Sequence, residues 1–209
     1  VAAKMTAQPD ILQSIDNGLP LYERDWRSPM GDGRWPQAAV LVALTEEAEP
    51  RVLLGRRAMH LFNHPGEVAF AGGKRELSDV SPWQTARREA MEEVGLPEDS
   101  IHPLGELEPL ITRTGFEVFP CVASIPPAPT LVVDTGEFDS VFFAPLAVFA
   151  DPDLFRLETM SDGRIARKVP HYQVGDDNIW GVTAAILVML ANVAYDAGFD
   201  LERNWEQAP

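Results

Sequence analysis

The stretch Gly72-Gly73-Lys74-Arg75-Glu76-Leu77-Ser78-Asp79-Val80-Ser81-Pro82-Trp83-Gln84-Thr85-Ala86-Arg87-Arg88-Glu89-Ala90-Met91-Glu92-Glu93-Val94-Gly95-Leu96 decides the reading of this chain. Ser81 suits an N-cap and Pro82 the first helical position. Gln84 stands three residues after the cap, as in a capping box, and Gly95 with Pro97 is a stop signal. The spacing predicts a helix over 82–94. On it Glu89, Glu92 and Glu93 fall at i, i+3 and i+4, so three carboxylates share one face, where each like-charge neighbour costs about 0.2–0.5 kcal/mol. Glu92 and Glu93 also lie in the last turn, against the negative end of the helix dipole, which is unfavourable by about 0.3–1 kcal/mol apiece. Such a face is either a solvated acidic surface relieved by Arg88, one turn before Glu92, or an oxygen-donor site for a hard cation such as Mg²⁺, Mn²⁺ or Ca²⁺. Just ahead of it, Gly72 and Gly73 let backbone approach a ligand or metal where a side chain would obstruct it.

Upstream, Ala38–Leu44 and Arg51–Leu54 read as strands joined by the acidic turn Glu46–Pro50, a hairpin. Ala58–Gly73 reads as a loop punctuated by Pro65, Gly66, Gly72 and Gly73. A short helical pattern at Asp10–Asp16 and a Pro/Gly-rich loop at Ser28–Pro36 precede them. Downstream, Ile101–Leu110, Glu117–Ile125 and Ser140–Phe143 are strand candidates, Arg164–Val169 and His171–Val174 form a further extended pair, and Ile179–Ala194 closes the pattern as a long helix. The uncharged run Asn178–Tyr195 is 18 residues long and borders on a membrane-spanning length. It carries Asn178, Thr183 and Asn192 and lacks basic flanks, so it reads as a core helix. Strands in the middle, with helices not in strict alternation, predict an α/β (α+β) fold with a mixed sheet packed between helices.

The 209 residues suit one core better than two. The expected division is an N-terminal extension over 1–36 packing on the domain, the domain itself over 37–197, and a tail over 198–209. Seventeen Lys and Arg against 32 Asp and Glu leave a net charge of −15, a poor balance for gripping nucleic acid or an anionic membrane. The single cysteine, Cys121, excludes an intramolecular disulfide and suits a reducing compartment. Val1–Asp10 has one Lys and no sustained apolar run, unlike a signal peptide, so the expected location is the cytoplasm. No His/Cys cluster points to zinc, and no G-x-S-x-G to a serine nucleophile.

Taken together, Gly73-x5-Asp79-x8-Arg88-Glu89-Ala90-Met91-Glu92-Glu93-Val94-Gly95-Leu96 resembles the Nudix box of the Nudix hydrolases, which reads G-x5-E-x7-R-E-U-x-E-E-x-G-U with U aliphatic. Asp79 replaces the first Glu, and one extra residue separates it from Arg88. The longer box is shared by the coenzyme A pyrophosphatase branch, whose upstream signature is L-L-T-x-R-S-x3-R-x3-G-x3-F-P-G-G. Leu53-Leu54-Gly55-Arg56-Arg57-Ala58-x3-Phe62-x3-Gly66-x3-Phe70-Ala71-Gly72-Gly73 keeps that spacing, with Gly55, Ala58, Phe62 and Ala71 departing from it. Pro170–Gln173 and Ile179–Ala184 are similar to the C-terminal part of the same branch, so the resemblance spans residues 37–195.

The resemblance implies a Nudix α/β/α sandwich and a metal-dependent pyrophosphohydrolase using Mg²⁺ or Mn²⁺. It would cleave coenzyme A or its thioesters to adenosine 3′,5′-bisphosphate and (acyl-)phosphopantetheine. Other nucleoside diphosphate derivatives (ADP-ribose, NADH, dinucleoside polyphosphates) are the alternative substrates, and a non-catalytic nucleotide-binding module is an alternative of another class. By resemblance Glu89 and Glu93 are the first metal ligands, Glu92 a further one and the Gly73 carbonyl another oxygen, while Arg88 pairs with and orients the carboxylates. Glu137 resembles the late acidic residue that many members bring to the site as a base; Glu92 or Glu89 could serve instead, and Asp139 competes. Arg57, Arg56, Gly72, Lys74 and His64 are the expected substrate contacts. His60 could also meet phosphate, while His171 and Trp180 read as ordinary hydrogen-bonding and core residues. Members are often homodimers. The Arg51–Arg88 segment has seven basic and three acidic residues, a local +4 within the acidic whole that suits a small polyphosphate.

Overall fold

In the computed structural model, β-rich runs of alternating burial build one mixed sheet, and the description below covers residues 10–21, 26, 35–161 and 166–201. The expected loop at Ser28–Pro36, apart from its last two residues, lies outside the described residues, as do residues 1–9, 22–25 and 27–34 of the expected extension and 202–209 of the expected tail.

Strands β1 (Gln37–Thr45) and β2 (Arg51–Arg57) form the expected hairpin, its turn fixed by Glu47, which accepts from Thr45 Oγ1 (2.6 Å) and Arg51 Nε (2.8 Å). The two strands pair only at Leu44↔Val52. The first half of β1 instead pairs with β4 (Ala71–Lys74), from Ala38↔Lys74 to Leu41↔Ala71. On its other edge β1 runs parallel to β7 (Glu117–Ile125) along its whole length. The remaining strands of this sheet are antiparallel neighbours: β3 (Val68–Ala69) and β8 (Phe138–Pro145) beside β2, and β5 (His102–Glu106) and β6 (Leu110–Ile111) beside β7. A second, three-stranded sheet holds β9 (Phe155–Ser161), β10 (Ala166–Val174) and β11 (Asp177–Trp180).

Because successive side chains in a strand point to opposite faces, β1 sorts Ala39, Leu41 and Ala43 to one core and Val42 and Leu44 to the other. The first core is covered by α2 (Pro82–Val94) and the second by α1 (Ile11–Gly18) and α3 (Gly181–Tyr195). The result is the α/β/α sandwich with a mixed sheet. Helix α3 is buried along most of its length, and no helix among the described residues is long and apolar enough to cross a membrane.

Helix α2 starts and stops where the caps predict. Ser81 Oγ accepts from Gln84 N (3.3 Å), and Gly95 takes φ +66° while Leu96 N returns to Ala90 O (3.2 Å). The capping box is displaced by one residue, since Gln84 Oε1 accepts from Val80 N (2.8 Å) and not from Ser81 N. Four sequence expectations need correction. The expected loop Ala58–Gly73 contains β3 and most of β4, because Gly72 and Gly73 are held in a strand by β1. The strand expected over Ile101–Leu110 divides into β5 and β6, with a register shift between Pro103 and Gly105. The start of the expected closing helix is strand β11, and Gly181 at φ +66° turns the chain from strand to helix. The extended pair around Pro170 is one strand, β10, with residues 164–165 outside the described set, and its partner β9 was not anticipated.

Candidate active site

The site begins where β4 meets α2. A Cβ on Gly73 would overlap the Glu89 carboxylate, and one on Gly72 would overlap the backbone of Ala39 and Val40. The two glycines are thus required for different reasons: one gives room to a carboxylate, the other to the neighbouring strand. Gly72 N also donates to Glu93 Oε2 (2.9 Å). A Gly73→Ala substitution should therefore leave the fold standing but displace Glu89. A displacement of about 1 Å at a reacting centre costs on the order of 10²-fold, so turnover should fall by about that factor, measured beside an unchanged circular-dichroism spectrum. Activity equal to wild type would show that Glu89 needs no fixed position.

Glu93 is 6% exposed, and burial pushes its carboxyl up to about 8. The Gly72 amide and the Arg57 charge oppose that rise, and the charges of Glu89 and Glu137 add to it. Glu89 is likewise raised by burial, against the pull of Arg88. Helix α2 therefore holds two carboxyl groups that are poorly solvated when ionised.

Arg88 ties the face together. Its Nη1 donates to Glu89 Oε1 (2.8 Å) and Glu92 Oε2 (3.2 Å), and its Nη2 to Asp79 Oδ2 (3.0 Å) and the Lys74 carbonyl (3.1 Å). Asp79 is 2% exposed and also accepts from Thr85 Oγ1 (2.7 Å) and Glu76 N (2.9 Å). Burial would raise the Asp79 pKa, but Arg88 and these two donors outweigh it and hold the group ionised below its ordinary range. This anchor was not anticipated. The available signal was an Asp just before the N-cap with a Thr one turn into the helix, able to fold back on each other.

Glu137 lies in the turn just before β8, with Oε2 3.5 Å from Arg57 Nη2, and its charge and that of Arg57 both act on Glu93. The Arg57 Nε is buried with no hydrogen-bond partner. Asp139 accepts from Met59 N (3.1 Å), so it is engaged in holding the β2–β3 loop. Arg56 is not brought to this face: it makes a bidentate pair with Asp177 of β11 (2.8 and 2.7 Å), reaches Ser140, and lies 4.2 Å over the Phe142 ring. Lys74, at the end of β4, places Nζ 5.1 Å from the Phe116 ring centroid. His64 is exposed at φ +57° and bonds Glu67 (3.0 Å), and His60 is exposed on the same loop. His171 is buried in the second sheet, 3.2 Å from Asn178 and stacked on Trp180, apart from the carboxylates.

The donor chemistry fits a divalent ion. Glu89, Glu92, Glu93 and the Gly73 carbonyl are all hard oxygen donors, the kind chosen by Mg²⁺, Mn²⁺ or Ca²⁺ over zinc. Gly73 leaves the space in which the Glu89 carboxylate rests. Among the described residues no three acidic, His or Cys side chains stand close enough together to hold a cation as they lie: Arg88 bonds Glu89 and Glu92, and the Gly72 amide bonds Glu93.

The NUDIX domain family matches residues 35–161. An uncharacterized Nudix hydrolase, NudL, of Yersinia enterocolitica serotype O:8 is 38% identical over 154 residues, covering 74% of this chain and 79% of its own. The uncharacterized NudL of Cronobacter sakazakii is 38% identical over 160 residues, covering 74% and 81%. Among solved structures, a MutT/nudix family protein from Enterococcus faecalis superposes with a TM-score of 0.49 at 20% identity, covering 85% of this chain and 63% of that one.

Proposed function

This chain belongs to the Nudix hydrolase family, and on that premise we propose that its substrate is coenzyme A or a coenzyme A thioester, cleaved at the diphosphate. The coarser activity, a hydrolase of nucleoside diphosphate derivatives, follows from the family. The observation that carries the proposal is the spacing Leu53 to Gly73, kept together with the longer box, whose Glu89 packs on Gly73 and whose Glu93 accepts from Gly72 N.

Phosphoryl transfer asks for charge neutralisation and positioning more than for covalent chemistry. A bound Mg²⁺ or Mn²⁺ supplies the first by drawing charge from phosphate oxygens and acidifying a water. Glu89 and Glu93, with Glu92 and the Gly73 carbonyl, are the groups that would hold it. Arg88 keeps Glu89 and Glu92 oriented from behind, fixed in turn by Asp79. Arg57, whose Nη2 stands 3.5 Å from Glu137, offers its partly exposed guanidinium to the substrate diphosphate. Glu137, held near Arg57, is the proposed base that takes the proton of the attacking water. Lys74 and His64, on the strand and loop that flank the glycines, extend the basic approach to the diphosphate. Cys121, a free thiol buried in the sheet, accords with a cytoplasmic setting.

The test is a substrate panel of coenzyme A, acetyl-coenzyme A, ADP-ribose and NADH, each with Mg²⁺ or Mn²⁺. The coenzyme A compounds should give the highest kcat/KM and release adenosine 3′,5′-bisphosphate. A preference for ADP-ribose would overturn the coenzyme A assignment and favour the second reading, which Phe62 motivates by standing where the coenzyme A signature carries Arg.

A further inference from the structure

Phe62 is 97% exposed, and it is the one exposed Phe, Tyr or Trp among the described residues. Burial of such a ring would stabilise the fold, and here that contribution is forgone. Disorder of the segment does not account for it, because the β2–β3 loop is tied at both ends and within. Ala58 N donates to the Glu137 carbonyl (2.9 Å), Met59 N to Asp139, Leu61 N to the Ala58 carbonyl (3.1 Å) and Gly66 N to the Arg57 carbonyl (2.9 Å). His64 at φ +57° bonds Glu67, and Gly66 at φ +72° leaves room for the Met59 sulfur. The loop is thus held through its backbone, with Ala58 buried at its start, and presents the ring.

Its ties are to the site. The stem consists of Arg57 and the backbone of Glu137, the two residues whose charges reach Glu93. Phe62 is four residues from Ala58 and four from Gly66, so its Cα is within about 14 Å of either end of the loop. We infer that Phe62 is the platform on which the nucleobase of the substrate stacks while the diphosphate lies against Arg57 and the carboxylate face. An aromatic ring recognises any base by its π-face, and such stacking is sequence-tolerant. The inference rests on the proposed nucleotide hydrolase, deepening it from the diphosphate to the base.

The test compares binding of ADP and of inorganic pyrophosphate, each with Mg²⁺, by titration calorimetry of wild type, Phe62→Ala and Phe62→Trp. Loss of a stacked base weakens binding by about 5- to 150-fold. Phe62→Ala should weaken ADP by that range and leave pyrophosphate unchanged, and Phe62→Trp should keep ADP at or above wild-type affinity. Equal effects on ADP and pyrophosphate, no effect on either, or no ADP binding by wild type would each overturn the inference. So would ADP binding that stays constant while sedimentation shows that Phe62→Ala abolishes self-association, since the ring would then belong to a contact with a second copy. Absence of turnover in the substrate panel sinks the hydrolase reading by itself, whereas these outcomes concern Phe62 alone.

Discussion

Glu93→Gln is expected to lower turnover by at least about 10²–10³-fold, the cost of removing several kcal/mol of charge stabilisation at the reacting phosphate. The same substitution should leave the metal-free fold intact and change how its stability depends on pH. The folded-state pKa of Glu93 is about 8, above its ordinary value of 4.5, because the group is buried. Between those values the unfolded chain has lost the proton that the folded chain keeps, so stability falls as pH rises through that window and levels off above about 8. Glutamine carries no proton to lose, and the slope due to this residue should vanish. Chemical denaturation in EDTA at pH 5, 6.5 and 8.5 would measure it for both proteins. A divalent ion that binds the ionised carboxylates takes the place of the proton, so stabilisation by added Mg²⁺ should grow from pH 6 to pH 8.5 in wild type. Parallel stability curves for the two proteins, together with unchanged turnover, would refute the role given to Glu93.

Asp79→Asn should be the most damaging change to the fold itself. Asp79 is buried, and Arg88 is held against it at 3.0 Å. Removing one charge of a buried pair costs about 3–5 kcal/mol, because the partner is left uncompensated. Arg88 keeps Glu89 and Glu92, which places the expected loss near about 3 kcal/mol, or a Tm lower by roughly 6–12 °C for a chain of this size. The sign with pH is opposite to that of Glu93. The Asp79 pKa is lowered, so its contribution is present above the ordinary carboxylate value and is lost as pH falls through the depressed folded value. Melting curves of wild type and variant should therefore be well separated at pH 7 and converge in acid. Equal melting temperatures at pH 7 would show that Asp79 is not the anchor of Arg88. Turnover should fall as well, since Arg88 then holds Glu89 and Glu92 less firmly.

Helix α2 was legible to the residue because its signals are local: Ser81 and Gly95 act on amides and carbonyls within a few positions. The carboxylate face was legible for the same reason, as a helix fixes the angle between Glu89 and Glu93. Strands β3 and β4 were hidden because what keeps Gly72 and Gly73 extended is the backbone of Ala39 and Val40, some thirty residues away, and no propensity records that. Strand β11 was hidden inside an apolar run that suits helix and strand alike until Gly181 divides it. Arg56 and Arg57 look equivalent as neighbours on a basic segment. In a strand they project to opposite faces, and the bulge between them does not undo this: Arg56 meets Phe142 and Asp177, and Arg57 meets Glu137. The two-residue period carried that distinction, since Val52 and Leu54 belong to one core and Leu53 to the other.

The parallel ladder between β1 and β7 joins residues eighty positions apart, as in Gln37↔Glu117. Closing so long a loop is entropically costly and kinetically late compared with the hairpins on either side. During synthesis β1, with its apolar Ala39–Leu44, therefore leaves the ribosome long before its partner exists, and its free edge can pair with other chains until residue 125 has emerged. The same strand that later anchors Gly72 and Gly73 is thus, for the nascent chain, an apolar segment with one edge unpaired until β7 arrives.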